Sequence, residues 1–184
     1  LGVIFVLLVV NPVSATLGIG ALAAGAGWTV ALGSGRNQRL SAAVALTLAA
    51  ATILQTGLDG SGKSHLGVFW AKGTEQLGTL FERWNTYSRI RVTALGKTAP
   101  FGWGFAHTPS TRIDQDHLDI DADAATVITR YDGDIGKLSY LRDDVINAAY
   151  LVQPPTDVAV VGVGGGRDIL SGLLFGARHI TGIE

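Results

Sequence analysis

The 184-residue sequence has no cysteine and no methionine, and its first 58 residues hold only two charged side chains, Arg36 and Arg39. Without cysteine there are no disulfides, thiolate metal sites or cysteine nucleophiles. A net charge of -1 gives no overall reason to expect nucleic acid as a partner. The missing methionine, an opening inside an apolar run and an ending inside an α/β pattern lead to the expectation of an internal fragment of a longer protein. The scarcity of charge is local. From Asp59 onward acids and bases are frequent, so the mean hydropathy of +0.33 averages a membrane-like part with an ordinary one.

Three apolar runs occupy residues 1–58. The first, 1–13, reads as the end of a span, broken or capped by Asn11-Pro12. The second, 17–32, is rich in Gly and Ala. The third, 40–56, leaves through Gln55. The last two lie near the lower limit of about 17 residues for a spanning helix. Gly18, Gly20, Gly25 and Gly27 suit close helix packing in lipid. The competing reading is a pair of buried helices in a soluble bundle, which would normally show a polar face. Positive charge in the 34–39 loop would place that loop in the cytoplasm. A spanning third run would then put the soluble part outside, whereas a cofactor domain of the kind argued below belongs in the cytoplasm. Either the third run does not fully span or two arginines are too weak a signal, and the cofactor argument is the stronger.

Residues 57–64, GLDGSGKS, match the phosphate-loop pattern letter for letter. A working phosphate loop follows a buried strand and opens a helix. Here a long Ala/Leu-rich run precedes the match and HLGVFWAKG follows it. The context is inverted, so the stretch is read as a connector.

Residues 65–71 and 88–95 look like strands. In the second, Ile90, Val92 and Ala94 alternate with Arg89, Arg91 and Thr93. Residues 96–109 form a Gly/Pro loop carrying Phe101, Trp103 and Phe105, aromatics that suit a lid, a plug or a membrane surface. Residues 117–129 suggest a strand pair lined by Asp114, Asp116, Asp119, Asp121 and Asp123, read as a solvated face. A calcium loop fails, because Ala124 stands at the sixth position and Arg130 at the twelfth. No ligand spacing joins His107 or His117 to these acids, so no metal is expected. A helix is predicted over about 136–152, with Leu138, Leu141, Val145, Ala148 and Val152 on one stripe, ended by Pro154-Pro155.

Residues 157–184, DVAVVGVGGGRDILSGLLFGARHITGIE, read as strand, glycine turn, helix, strand, acid, the opening of a nucleotide-binding α/β unit. The dinucleotide fingerprint needs a third small residue where Arg167 stands. The pattern present is G-x-G-x-G: Gly162, Gly164 and Gly166. That spacing is typical of class I S-adenosylmethionine-dependent enzymes, in which the turn passes the cofactor with no pyrophosphate to cradle. Glycines free of side chains, with access to φ > 0, suit such a turn. Glu184 ends the second strand, where an acid accepts ribose hydroxyl protons.

The pieces FERWNTYSRIRV, ITRYDGD, LSYLRDDVINAAYLV and VAVVGVGGGRDILSGLLFGARHITGIE together resemble the spermidine/spermine synthase-like family, and its bacterial members fused to membrane helices most of all. The resemblance implies an α/β chain of N-terminal transmembrane helices (1–58), a linker and small β-domain (59–135) and the start of a Rossmann-like domain (136–184). It implies binding of S-adenosylmethionine or its decarboxylated form through Gly162, Gly164, Gly165, Gly166, Asp168 and Glu184, with Asp168 shaping the turn. Tyr140 falls at the family's substrate-site Tyr, although Leu141 replaces the His that follows it there. The family's catalytic base lies beyond residue 184. The implied partners are a small-molecule acceptor, of which an amine is the leading type, the lipid membrane and a second copy in a homodimer. The expected function is aminopropyl or methyl transfer by a multi-pass protein of the cytoplasmic membrane. The alternative is a non-catalytic cofactor-binding membrane transport or sensor protein.

Overall fold

The structure, a computed structural model, describes residues 11–35, 37–61, 66–85 and 87–184. Most of the 1–13 run lies outside these residues, as do Arg36 and residues 62–65, which hold the Lys-Ser end of GLDGSGKS and the start of the strand expected at 65–71. The chain is mixed α/β, with two apolar helices ahead of small β-sheets.

The described residues divide into two compact units. The first, up to Gln76 together with Arg83–Arg89, is dominated by a helical hairpin. Helix α1 is Pro12–Ser34 and helix α2 is Gln38–Gly60, each of 23 residues. At 1.5 Å per residue such a helix is roughly 35 Å long, against a hydrocarbon core of about 30 Å. Both are therefore long and apolar enough to cross a membrane. Their outward apolar side chains are open, with Leu22 77% and Ile53 74% exposed, a surface suited to lipid rather than to water.

Pro12 opens α1 at the one place where its missing N–H costs nothing, and the Asn11 side chain accepts from the Ser14 N–H at 2.9 Å. Gly35, with φ 68°, closes the helix in the left-handed region. A polar clasp ties the start of α1 to the end of α2. Ser14 Oγ donates to Asp59 Oδ2 at 2.8 Å and Gln55 Nε2 to Asp59 Oδ1 at 2.9 Å, with Ser14 and Gln55 both buried. Gln55 therefore lies within a helix that continues to Gly60.

Only part of the small-residue expectation holds. A Cβ on Gly18 would stand 3.5 Å from Thr52 and one on Gly20 3.7 Å from Leu48, whereas Gly25 and Gly27 face nothing within 4 Å. The close approach is confined to one half of the hairpin. The first unit also holds the two-residue pair β1 (Trp70–Ala71) and β2 (Thr74–Glu75).

The second unit, Leu77–Glu82 with Ile90–Glu184, contains most of a four-stranded sheet in the order β3-β4-β5-β6. Its strands are β3 (Thr79–Trp84), β4 (Arg89–Thr98), β5 (Ile113–Ile120) and β6 (Ala124–Thr129). The antiparallel β5–β6 hairpin turns through Asp121 and Ala122, both at positive φ. Strand β4 runs further into the aromatic loop than the sequence suggests, past a bulge at Ala94/Gly96.

The alternation along β4 is present, but the buried face is the polar one. Arg91 is 8% exposed and donates from Nε to Asp119 Oδ2 at 3.0 Å, directly across the β4–β5 register. Asp119 is buried as well, so the acids of this hairpin are not a uniformly solvated face. Asp116 and Asp114 lie 3.5 and 3.7 Å from Arg130. A charge pair on a sheet face can be buried when each member cancels the other's desolvation. That leaves Ile90, Leu118 and Ile120 on surface that is open to a pocket.

The helix expected over about 136–152 is broken. A 3-10 segment covers Ile135–Asp143, Asp144 is extended, a single 3-10 turn follows at Val145–Asn147, and α3 is only Ala148–Val152. The stripe splits at the break. Leu138 and Leu141 are buried with Ile113, Tyr140, Leu170 and Leu174 in the core, whereas Val145 and Val152 are exposed. A parallel pair follows, β7 (Asp157–Val161) and β8 (His179–Ile183), joined through the glycine turn and α4 (Arg167–Leu174).

The hairpin geometry predicts that Gly18→Leu lowers the thermal midpoint in detergent micelles, by an overpacking cost of roughly 1–3 kcal/mol. Gly25→Leu should leave it unchanged. Equal midpoints for the two variants would show that the close approach is not where the structure puts it.

Candidate functional site

The glycine turn is built from four residues that need glycine for two different reasons. Gly162, Gly164 and Gly166 have φ of 74°, 50° and 80°, the left-handed region that a Cβ disfavours. These are the three positions of the G-x-G-x-G pattern. Gly165 is not in that region, but a Cβ there would stand 1.9 Å from the Val127 carbonyl oxygen. The turn is thus pressed against strand β6. The close approach that the dinucleotide pattern would place at 167 falls at 165 instead.

Backbone hydrogen bonds hold the turn. Gly162 N–H donates to Ile183 O at 2.8 Å and Gly166 N–H to Val163 O at 2.8 Å. The Gly164 N–H donates to Glu184 Oε2 at 3.0 Å. The acid at the end of the second strand is therefore joined to the middle glycine of the turn, 20 positions earlier.

Gly164 and Glu184 lie on the wall of a pocket of about 500 Å3, completed by Val163 and by Ile90, Leu118, Ile120 and Ala124–Thr126 of the sheet. That volume suits a small organic ligand, for which about 300–1,000 Å3 is usual. The lining is mainly apolar, with a single carboxylate at its edge. The sequence reading missed the sheet's contribution, whose only signal was the alternation of Ile90 and Val92 with arginines. A neighbouring hollow of about 470 Å3 shares Ala125 and Thr126 and is lined also by Phe101, Gln115 and His117.

Arg167 is 5% exposed and is held by Asp144, which is 2% exposed. The Arg167 Nη2 also reaches Asp168 Oδ1 at 3.2 Å, and its guanidinium lies 6.0 Å from the Phe101 ring. Asp144 further accepts from the Trp103 N–H at 3.4 Å. The aromatic loop is pinned here, since Val145 N–H donates to Gly104 O and Ala106 N–H to Asp143 O, each at 2.8 Å. Gly102 is required as well, because a Cβ would fall 2.6 Å from Asp144 Oδ2. Of the three loop aromatics, Phe105 packs against the core and makes an edge contact with Tyr140, while Trp103 stays 70% exposed.

The structure brings Gly164 and Glu184 together in the pocket, with Gly162, Gly165 and Gly166 shaping its turn. Asp168 sits in the first turn of α4, beside Arg167. Tyr140 does not line the pocket. It is 5% exposed in the core, with its hydroxyl 3.5 Å from Thr129 Oγ1. Burial pushes its phenol above the ordinary 10.0; the Thr129 hydrogen bond and the Arg167 charge oppose that, and Asp144 adds to it. Among the described residues no group of three or more His, Asp or Glu side chains is placed to hold a metal. Compared with protein-family models, curated proteins and solved structures, the chain matches none.

Removing one member of the buried pair leaves the other unpaired, at a cost of about 3–5 kcal/mol. Asp144→Asn should therefore lower the unfolding free energy strongly, and adding Arg167→Met should restore most of it. A double-mutant cycle in denaturant that gave additive losses would count against the pairing.

For Tyr140 the sign follows from burial. A folded-state value above the unfolded one means that stability is full below about pH 10 and falls as pH rises from there through the folded value. Tyr140→Phe should flatten that alkaline loss in denaturation curves recorded across this range, and an unchanged slope would exclude the effect.

Proposed function

We propose that the chain carries a Rossmann-like cofactor-binding unit of a spermidine synthase-like group transferase, anchored in a membrane, and that the pocket at the glycine turn takes S-adenosylmethionine or its decarboxylated form. The observation that carries this reading is a turn with three left-handed glycines in G-x-G-x-G order whose middle member, Gly164, lines a pocket together with the acid that follows the next parallel strand.

The residues present fit such a group. Glu184 Oε2 takes the Gly164 N–H, and Oε1 has no hydrogen-bond partner among the described residues. It can accept from a ribose hydroxyl while the first bond holds the carboxylate in place. Ile90, Leu118 and Ile120 offer an apolar wall to an adenine ring. When bound, the cofactor supplies an electrophilic carbon next to a positively charged sulfur, open to attack by a nucleophile. The chain's own part is positioning: the turn leaves backbone in place of side chains, and Glu184 fixes orientation. The adjoining hollow lined by Phe101 and His117 is where an amine-bearing acceptor would be held, and the group transferred would follow from the cofactor form bound, methyl from S-adenosylmethionine and aminopropyl from its decarboxylated form. The two spanning-length helices support a membrane anchor; the same reading takes the protein as multi-pass, with this domain on the cytoplasmic side, and as a homodimer.

Calorimetry on the full chain in detergent micelles tests the proposal. Binding of either cofactor form should weaken by about ten- to a hundredfold in Glu184→Gln, as expected for a lost hydrogen bond to a charged group. Failure of both forms to bind the unaltered chain would sink the reading. Binding without turnover on polyamine or methyl acceptors would favour a non-catalytic membrane sensor or transport protein instead.

A further inference from the structure

A second concavity, of about 460 Å3, lies beyond the other end of β6 and shares no lining residue with the pocket at the glycine turn. Its floor includes the buried side chains Ile113 and Leu138. Around it stand four cations, Lys97, Arg112, Arg130 and Lys137, and two acids, Asp114 and Asp132. Four positive less two negative charges leave the lining at +2.

Both acids are already engaged. Asp114 lies 3.7 Å from Arg130 Nε, and Asp132 pairs with Lys137. Lys97 and Arg112 have no hydrogen-bond or ion-pair partner among the described residues. Scattered surface cations are ordinarily just solvated. These converge on one concave wall above an apolar floor, where low-dielectric surroundings focus their field.

We propose that this pocket binds a small phosphate monoester, with the phosphate between Lys97 and Arg112 and the organic part over Ile113 and Leu138. A phosphate monoester carries about -1.5 to -2 charge at neutral pH, which matches the excess of the lining. A single carboxylate would leave half of it uncompensated. Arg112 supplies a planar fork for two phosphate oxygens and Lys97 a point charge. The same chemistry is offered by a free ester and by the headgroup of phosphatidic acid.

The test uses the full chain in non-ionic detergent with phenyl phosphate as the probe, read by broadening of its phosphorus resonance. Broadening is expected with the unaltered chain, and Lys97→Gln with Arg112→Gln should weaken apparent affinity at least tenfold. Both residues are exposed and unpaired, so the thermal midpoint should stay the same. If the double variant unfolds, Arg112→Gln alone decides by the same readout. Reconstitution into phosphatidylcholine vesicles with and without phosphatidic acid separates the sources. Loss of probe broadening with phosphatidic acid assigns the site to a lipid headgroup, and unchanged broadening assigns it to a soluble ester. No broadening with the unaltered chain, or equal broadening with the folded variant, overturns the proposal.

Discussion

The buried pair of Arg167 and Asp144 is the constraint on which the second unit depends. Both charges are withdrawn from water, so each needs the other, and three pieces of chain must meet to bring them together. Arg167 opens α4 directly after the glycine turn. Asp144 is the extended residue at which the expected helix breaks. The aromatic loop closes over them, its backbone bonded to both neighbours of Asp144 and to its carboxylate. A continuous helix through 144 would give up that geometry. The interruption is therefore the local cost of a tertiary contact, and it explains why Leu138 and Leu141 enter the core while Val145 and Val152 do not.

The same anchoring sets the glycine turn against β6. With α4 held at its first residue and its Leu170 and Leu174 in the core, the turn meets the Val127 carbonyl so closely that only glycine fits at 165. The pocket follows as a consequence. Its walls are a sheet face left apolar because the opposite face buries Arg91 and Asp119, and a turn stripped of side chains. Glu184 adds the one fixed charge at its edge.

The helical hairpin uses a different economy. Its outward side chains are apolar and open, and at one end a polar clasp forms where Asp59 receives hydrogen bonds from Ser14 and Gln55. A carboxylate at the end of a spanning-length helix is tolerable when its oxygens are satisfied and interfacial water is near. Close packing through Gly18 and Gly20 sits in the same half as this clasp.

What the sequence by itself determined was local. Apolar length with almost no charge fixed the two long helices, and short β-branched runs fixed β7 and β8. The G-x-G-x-G spacing marked the three left-handed positions, because only glycine occupies that region at little cost. The strand pair near 117–129 was legible from alternation. The rest required contacts between distant residues. Alternation along β4 shows that two faces differ but not which one is buried, and a cross-strand Arg91–Asp119 pair reversed the usual choice. A periodic stripe over 136–152 favours helix until Asp144 is claimed by Arg167, 23 positions away. Gly165 looks like its neighbours in sequence, and only the approach of β6 shows that it is required for space rather than for backbone conformation. Tyr140 reads as a site residue by its place in a motif, and packing put it in the core. Local preference is set by each residue's own chemistry, whereas burial and pairing are set by what the folded chain brings alongside it.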